Sequence, residues 1–108
     1  MTHPAKALDD VVHQRVRLGI LAIVEEARRV EFGFLQTSLD LTAGNLSKHV
    51  TVLENAGLIG VEKGYAGRRP RTWIRLTPTG RRALREEIRH LKRLIDQLES
   101  KGETGEPT

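Results

Sequence analysis

The sequence predicts a mainly helical domain with a small antiparallel β-sheet, an α+β fold, from three features. Apolar residues recur at helical spacing in several stretches. Two β-prone segments enclose a turn that contains glycine and proline. Basic residues concentrate around that turn, whereas acidic residues gather elsewhere. With 108 residues, of which 38% are hydrophobic, the chain can form one domain with one modest core.

The N-terminal third of the chain predicts one helix followed by a short strand. Residues 14–28 carry apolar side chains at more positions than one helical face requires. This helix is therefore either central to the core, or its second face meets another subunit. Residues 30–32 are β-prone and are expected to add one strand to a small sheet. Residues 1–7 show no pattern and are expected to form a flexible N-terminus.

The middle of the chain predicts two helices joined by a tight turn, and the rest of the domain is organised around this unit. Phe34, Leu35 and Leu39 suit a short first helix. Thr42 is the expected N-cap of the second helix, because its hydroxyl can accept an unpaired backbone N–H. Gly57 suits the left-handed residue that ends a helix.

The second of these helices separates apolar from polar residues. Its expected buried stripe is Leu46, Val50 and Leu53. Its outward face carries small or hydrogen-bonding residues with one charge: Ala43, Asn45, Ser47, Lys48 and Thr51. Because a basic segment follows this face, we expect it to contact an acidic, polar surface such as DNA.

The next segment predicts a β-hairpin with a basic tip. Residues 58–65 and 72–76 have strand character, and residues 66–70 form the turn between them. Three arginines lie at the tip: Arg68, Arg69 and Arg71. Tyr65 and Trp73 are expected to pack within the hairpin. The segment therefore has the shape of a wing.

Residues 78–100 predict a long helix, with Thr77 as its N-cap and proline at the first helical position. Apolar residues recur there at steps of four and three: Leu84, Ile88, Leu91, Ile95 and Leu98. A helix of about 34 Å extends beyond a small domain, so we expect this stripe to pack on a second copy, together with Val12 and Val16. Packing on its own domain is the alternative. Residues 101–108 are expected to form a disordered tail.

The charge distribution favours a phosphate-bearing partner. The chain has 18 Lys and Arg against 14 Asp and Glu, a net charge of +4 and a pI near 10.0. Residues 61–85 hold eight of the basic residues and a single acidic residue, Glu62. This asymmetry marks a positive patch.

Composition and spacing argue against several other functions. The chain has no cysteine, which excludes disulfides, thiol chemistry and Cys-based zinc sites. Its four histidines lack ligand spacing, and no catalytic constellation or glycine-rich phosphate loop is visible. We therefore predict no metal, no cofactor and no enzymatic activity. The longest apolar run, residues 19–24, is too short to cross a bilayer, so a cytoplasmic protein is expected.

The order helix, strand, helix, helix, hairpin and long helix is that of a winged helix–turn–helix with a long C-terminal dimerisation helix. The segments LTAGNLSKHVTVLENAGLI and VEKGYAGRRPRTWIRLTPTGRRAL resemble the MarR-like winged-helix transcriptional regulators. The match is to a short subgroup whose wing reads K-G-x-x-G-R-R-P-R-T and is followed by L-T-x-x-G. It covers residues 12–84 of the domain, which we place at residues 8–100.

This resemblance implies a homodimeric DNA-binding repressor or activator that dimerises through its terminal helices. The helix over residues 42–56 would enter the major groove of a pseudo-palindromic operator, with the wing tip at the adjacent minor groove. Larger members of the family have extra helices that enclose a ligand pocket. This chain has little sequence to build one, so a small-molecule effector stays an open question.

The candidate DNA-binding residues lie on the second helix and the wing. They are Thr42, Asn45, Ser47, Lys48, Thr51, Lys63, Arg68, Arg69, Arg71 and Thr72. Arg75, Arg81 and Arg82 either contact flanking phosphates or are solvated, while His49 is expected to be half-packed. Two alternatives remain. The polar face could simply be solvated, or the domain could be a protein-interaction module whose wing arginines bind an acidic partner.

Overall fold

The computed structural model describes residues 10–105 of the chain, with side chains through Ser100. The elements are α1 (Arg15–Ala27), β1 (Arg29–Glu31), α2 (Phe32–Ser38), α3 (Ala43–Asn55), β2 (Ile59–Ala66), β3 (Arg69–Leu76) and α4 (Pro78–Gly105). This is the predicted winged helix with its long final helix. The expected flexible segment 1–7 and the last residues of the expected tail, 106–108, lie outside the described residues.

The three strands form one antiparallel sheet in the order β1-β3-β2. Strands β2 and β3 pair from Ile59 and Leu76 to Ala66 and Arg69, with Gly67 at positive φ in the turn. The hairpin is thus longer than predicted, and Pro70 lies within β3 instead of in the turn. It is tolerated there because β1 pairs only with residues 73–75, which leaves the other edge of β3 open at Pro70.

The core lies between α1, α3 and the inner face of the sheet. The predicted stripe of α3 is buried, and it packs with residues of α1 and the sheet. The largest fully buried apolar side chains are Ile20, Leu21, Leu35, Leu46, Leu53 and Ile74. Phe34, which we expected to help form the first helix of the pair, is 56% exposed, whereas Leu35 carries the burial of that helix.

Two of the residues assigned to a dimer interface belong to this core instead. Val12 is 0% exposed and Leu84 is 2% exposed, both within one chain. Because neither side chain has surface left for a second copy, we remove them from that interface. Val16 is partly buried against the same core.

The helices α2 and α3 both end in a left-handed residue. Asp40, with φ of 53°, follows α2, and the N–H of Leu41 donates to the carbonyl of Gln36 at 3.0 Å. Gly57, with φ of 77°, follows α3, and the N–H of Leu58 donates to the carbonyl of Leu53 at 3.0 Å. These bonds satisfy carbonyls that a helix end otherwise leaves unpaired.

The start of α4 is hydrogen-bonded to the residues between the end of α3 and the start of β2. Three elements therefore meet at this point. The Thr77 hydroxyl donates to the carbonyl of Gly57 at 2.6 Å and accepts the N–H of Gly80 at 2.9 Å. The Thr77 N–H donates to the carbonyl of Leu58 at 3.1 Å. We call this junction, formed by Gly57, Leu58, Thr77 and Gly80, the α3–α4 joint.

Helix α4 continues past the predicted end at Ser100 to Gly105. Residues 101–105 are thus helical where we expected the start of a tail, because adding a residue to an existing helix costs much less than starting one. The predicted apolar stripe is buried at its start and exposed at its end, from 2% at Leu84 to 61% at Leu98.

The joint predicts that Gly80→Ala is destabilising. A Cβ at Gly80 would overlap the carbonyl oxygen of Leu58, which belongs to the backbone and cannot rotate away. We expect a loss of about 1–3 kcal/mol in the free energy of unfolding, as for other overpacked sites. Urea unfolding followed by circular dichroism measures it.

Gly44→Ala is the matched control, since a Cβ there has no neighbour within 4 Å. Its stability should equal or slightly exceed that of the parent. Equal stability for both variants would show that the close approach at Gly80 does not constrain the fold.

Candidate nucleic-acid interface

Helix α3 presents its polar face to solvent because its apolar stripe is fixed in the core. Leu46 and Leu53 are 0% exposed, so the opposite side of the helix has to face outward. The predicted contact residues on that side are all exposed: Thr42, Asn45, Ser47, Lys48 and Thr51. The structure therefore gathers these five residues on one accessible face.

The N-terminus of α3 is capped as predicted. The Thr42 hydroxyl oxygen accepts the N–H of Asn45 at 3.1 Å. The N–H groups of Ala43 and Gly44 precede the first possible intrahelical bond and point out of the helix end. They form an electropositive terminus suited to an anion such as a phosphate.

A shallow groove joins this face of α3 to the wing, formed by β2, β3 and their turn. Ser47 and Thr51 line it from α3, and Lys63 and Thr72 line it from the wing. In the sheet, Lys63 and Thr72 are direct cross-strand partners. Four of the predicted contact residues, far apart in sequence, therefore share one continuous surface.

The arginines of the wing divide into free and paired groups. Arg68 and Arg69 are exposed, and neither has an ion-pair partner within residues 10–100. Arg71 is half-buried, with its Nε 2.9 Å from Oε1 of Glu31. This Nε makes no hydrogen bond, so the contact is an ion pair. Arg71 is thus partly committed to its own fold, which leaves Arg68 and Arg69 as the free cations of the tip.

A second ion pair neutralises Glu62, the one carboxylate of the wing itself. Arg75 Nε lies 3.3 Å from Oε1 of Glu62, with both side chains about half exposed. Together with Arg71 and Glu31, this pair offsets the negative charge next to the wing. The wing therefore keeps Lys63, Arg68 and Arg69 as cations without an ion-pair partner among residues 10–100, whereas Glu54 of α3 places one carboxylate at the groove. Exposed ion pairs such as that of Arg75 with Glu62 contribute little to stability.

The remaining arginines considered for phosphate contact lie at α4. Arg81 and Arg85 both approach Oε2 of Glu25 on α1, at 3.6 and 3.5 Å. Arg82 Nη2 is 3.2 Å from the Thr79 hydroxyl. Arg81 therefore helps to hold α4 against α1, and Arg82 bonds within its own helix.

The likeness to known proteins agrees with this geometry. A family model described as a winged helix DNA-binding domain matches residues 16–95. The chain belongs to this family. It is therefore a winged-helix DNA-binding regulator, and the predicted resemblance to MarR-like regulators is confirmed.

Individual relatives cover most of the chain. The uncharacterized protein MJ0432 of Methanocaldococcus jannaschii is 34% identical over 84 residues, which are 78% of this chain and 91% of that protein. The structure of a transcriptional regulator homologue from Pyrococcus horikoshii OT3 is 35% identical, with a TM-score of 0.84, over 90% of this chain and 98% of that one. A mutant of Lactococcus lactis ZitR in complex with DNA shares the fold at 18% identity and a TM-score of 0.61, over 89% and 64% of the two chains.

Other kinds of site receive no support from the described part of this regulator. Within it, no three His, Asp or Glu residues are grouped so that they could hold a metal ion. None of its described helices is both long and apolar enough to span a membrane.

An arginine of α1 that the sequence did not single out supports α3. The Arg17 guanidinium donates to the carbonyls of Val11 at 2.6 Å and Asp10 at 3.1 Å, and its Nη1 lies 3.3 Å from Nδ1 of His49. Since arginine can only donate, His49 accepts through an unprotonated Nδ1. His49 is half-buried, as expected, and Arg17 links the segment before α1 to α3.

The environment of His49 lowers its pKa below the ordinary value of 6.5. Desolvation by burial is the main cause, and the positive charges of Arg17 and Lys48 add to it. Each of these effects disfavours the imidazolium form. The fold therefore shifts the equilibrium of this imidazole toward its neutral form.

We predict that His49 makes the stability of this regulator depend on pH. The unfolded chain binds a proton at His49 at higher pH than the folded chain does, so stability rises with pH between the two pKa values. The contribution is complete above about pH 6.5 and is lost as the pH falls toward the lowered folded value.

The test compares the parent with His49→Gln by urea unfolding at several pH values between about 7 and 5. The amide oxygen of glutamine can still accept from Arg17 but does not titrate. We expect the free energy of unfolding of the parent to fall more steeply with acidification than that of the variant. Parallel pH profiles would contradict this prediction.

Proposed function

We propose that this winged-helix regulator binds double-stranded DNA in a sequence-specific manner and acts as a homodimeric repressor in the cytoplasm. Helix α3 enters the major groove, and the wing tip lies at the adjacent minor groove. Occupation of a promoter then blocks transcription by steric exclusion.

One observation carries this proposal: the polar face of α3 and the uncompensated cations of the wing meet across a shared groove. Ser47, Thr51, Lys63 and Thr72 line this groove, with Glu54 as its one acidic residue, and Arg68 and Arg69 are exposed beyond it at the tip of the wing. A helix of this kind fits the major groove, and neighbouring cations can reach the phosphate backbone. The complex of ZitR, a protein of the same fold, with DNA supports DNA as the partner.

The residues divide into two roles. Asn45, Ser47 and Thr51 can read base edges, since they carry hydrogen-bonding groups or, for Thr51, a methyl group that suits thymine. Lys48 can reach guanine or a phosphate. The open N–H groups after Thr42 suit a backbone phosphate. Specificity then comes from α3.

The wing supplies affinity that depends on salt. Lys63, Arg68 and Arg69 neutralise phosphates and release counterions, a contribution that does not depend on sequence. Arg71 and Thr72 lie along the same strand. Arg71 adds less than its two neighbours at the tip, because Glu31 already offsets its charge.

Dimerisation doubles this surface. The exposed apolar residues of α4 are Ile88, Ile95 and Leu98, with Leu91 half-buried between them. A second copy would cover them and place two α3 helices on one face of the duplex. Half-sites about 34 Å apart would then be read in successive major grooves of a pseudo-palindrome.

The division of roles predicts different defects for two substitutions. Arg69→Ala should weaken binding to all duplexes and reduce the slope of log affinity against log salt by about one unit. Asn45→Ala should instead reduce the preference for selected sites over random DNA, by about 1–3 kcal/mol. Fluorescence anisotropy titrations at several salt concentrations measure both, with duplexes selected from random DNA.

Arg15→Ala is the control, since it removes an exposed arginine at the start of α1, which belongs to neither α3, the wing nor α4. It should bind like the parent. If Arg69→Ala and Asn45→Ala also bind like the parent, the proposed roles are wrong. Absence of binding to any duplex at low salt would favour an acidic protein partner instead.

A further inference from the structure

Helix α4 exposes a symmetric apolar stripe beyond its own domain. Exposure is 38% at Ile88, 51% at Ile95 and 61% at Leu98, and Leu91 is half-buried. Relative to Arg93, these residues lie at positions −5, −2, +2 and +5. The spacing is therefore the same in both directions along the helix, which allows the helices of two copies to pair in antiparallel orientation.

The stripe continues into a groove between α1 and α4. The groove has a volume of about 460 Å³. Its accessible apolar lining consists of Leu18, Ala22, Ile88 and Leu91, whereas Leu84 is almost fully covered within the chain. Glu25 and Glu26 of α1 also line it. Apolar side chains from outside the chain can thus contact α1 and α4 together, which gives a wider contact than a two-heptad stripe alone.

The charges of α4 are separated along its length. Its N-terminal half carries five exposed basic residues and one exposed acidic residue, Glu86. The basic residues are Arg81, Arg82, Arg85, Arg89 and Lys92. Beyond Arg93, the exposed charged residues through Ser100 are Asp96 and Glu99, and neither has a salt bridge within residues 10–100. Parallel pairing would bring like charges together, whereas antiparallel pairing brings opposite charges together.

We propose that the C-terminal half of α4 from a second copy lies antiparallel in this groove, with the two helices crossing near Arg93. The proposal rests on the homodimer of the proposed function and specifies its geometry. Ile88 of each copy faces the partner's Leu98, and Leu91 faces the partner's Ile95. Arg85 then lies close to the partner's Glu99.

Cysteine cross-linking tests this geometry, because the chain has no cysteine of its own. Full-length Ile88→Cys and Leu98→Cys variants are oxidised separately and as a mixture, then run on a non-reducing gel. Both positions are exposed, so folding should be retained. Antiparallel pairing predicts a covalent dimer in the mixture alone. Within either single variant, the two cysteines of a dimer would be about 15 Å apart along the helix axis, too far for a disulfide.

Each of three results would overturn the proposal. A covalent dimer of Leu98→Cys alone would show parallel pairing. A dimer in sedimentation equilibrium without cross-linking in the mixture would show that copies meet through another surface. A monomer at micromolar concentration would show that the stripe has a different occupant.

Charge reversal gives an independent measurement. Glu99→Arg places two cations together in each of the two symmetric contacts. We therefore expect the dissociation constant of the dimer to rise by up to about tenfold. Adding Arg85→Glu to this variant should restore the parent value, although Arg85→Glu also loses the contact with Glu25. Failure of the double variant to recover any affinity would contradict the pairing of Arg85 with the partner's Glu99.

These readouts differ from those of the proposed function. Cross-linking and sedimentation report only how the copies meet, whereas anisotropy with duplex DNA reports binding. A parallel dimer that binds DNA would end this proposal and leave the proposed function intact. An antiparallel dimer without affinity for any duplex would support the proposed pairing and contradict the proposed function.

Discussion

The orientation of α3 relative to the wing depends on one small junction, the α3–α4 joint. The carbonyls of Gly57 and Leu58, just after α3, accept hydrogen bonds from Thr77, just before α4. Gly80 packs against the same backbone so closely that no side chain fits. Because β2 starts at Ile59 and β3 ends at Leu76, the joint also fixes both strands at the base of the wing. It therefore sets where the wing lies relative to α3, and where α4 leaves the domain.

The segment before α1 forms a second link between α3 and α4. Arg17 joins the carbonyls of Asp10 and Val11 to His49 of α3. In the same segment, His13 Nδ1 lies 2.6 Å from Oε2 of Glu87, a carboxylate of α4 that is 1% exposed. Burial makes a carboxylate dependent on its partners, so this contact helps to hold the segment on α4. One short stretch is thus connected both to α3, through Arg17, and to α4, through Glu87.

Much of the fold follows from local patterns in the sequence. The stripe of Leu46, Val50 and Leu53, the Thr42 cap and the left-handed Gly57 define α3 because each depends only on near neighbours in the chain. The wing was also predictable, although its turn is tighter and Pro70 lies in a strand. The expected packing of Tyr65 within the hairpin was wrong, since this side chain is 74% exposed. These features are decided by periodicity, capping and turn chemistry, which are readable from one sequence.

The features that the sequence did not predict are contacts between distant residues. The pairing of Arg71 with Glu31 depends on where β1 and the wing lie relative to each other, and the placement of Arg29 over the ring of Trp73, 4.0 Å from its centroid, depends on the same arrangement. Burial of Val12 and Leu84 within one chain likewise depends on how α1 and α4 pack. Periodicity showed that Leu84 is apolar on a stripe, but only the structure shows what covers it.

The central claim is that α3 and the wing form one surface matched to a DNA duplex. The most direct test is a ¹⁵N-labelled NMR titration of the full chain with a selected duplex, which monitors every backbone amide. We expect the largest shift changes at residues 42–51, 63 and 68–72, with the arginine side-chain signals of Arg68 and Arg69 changing more than that of Arg71. Changes confined to α1 and α4, with α3 and the wing unaffected, would contradict it.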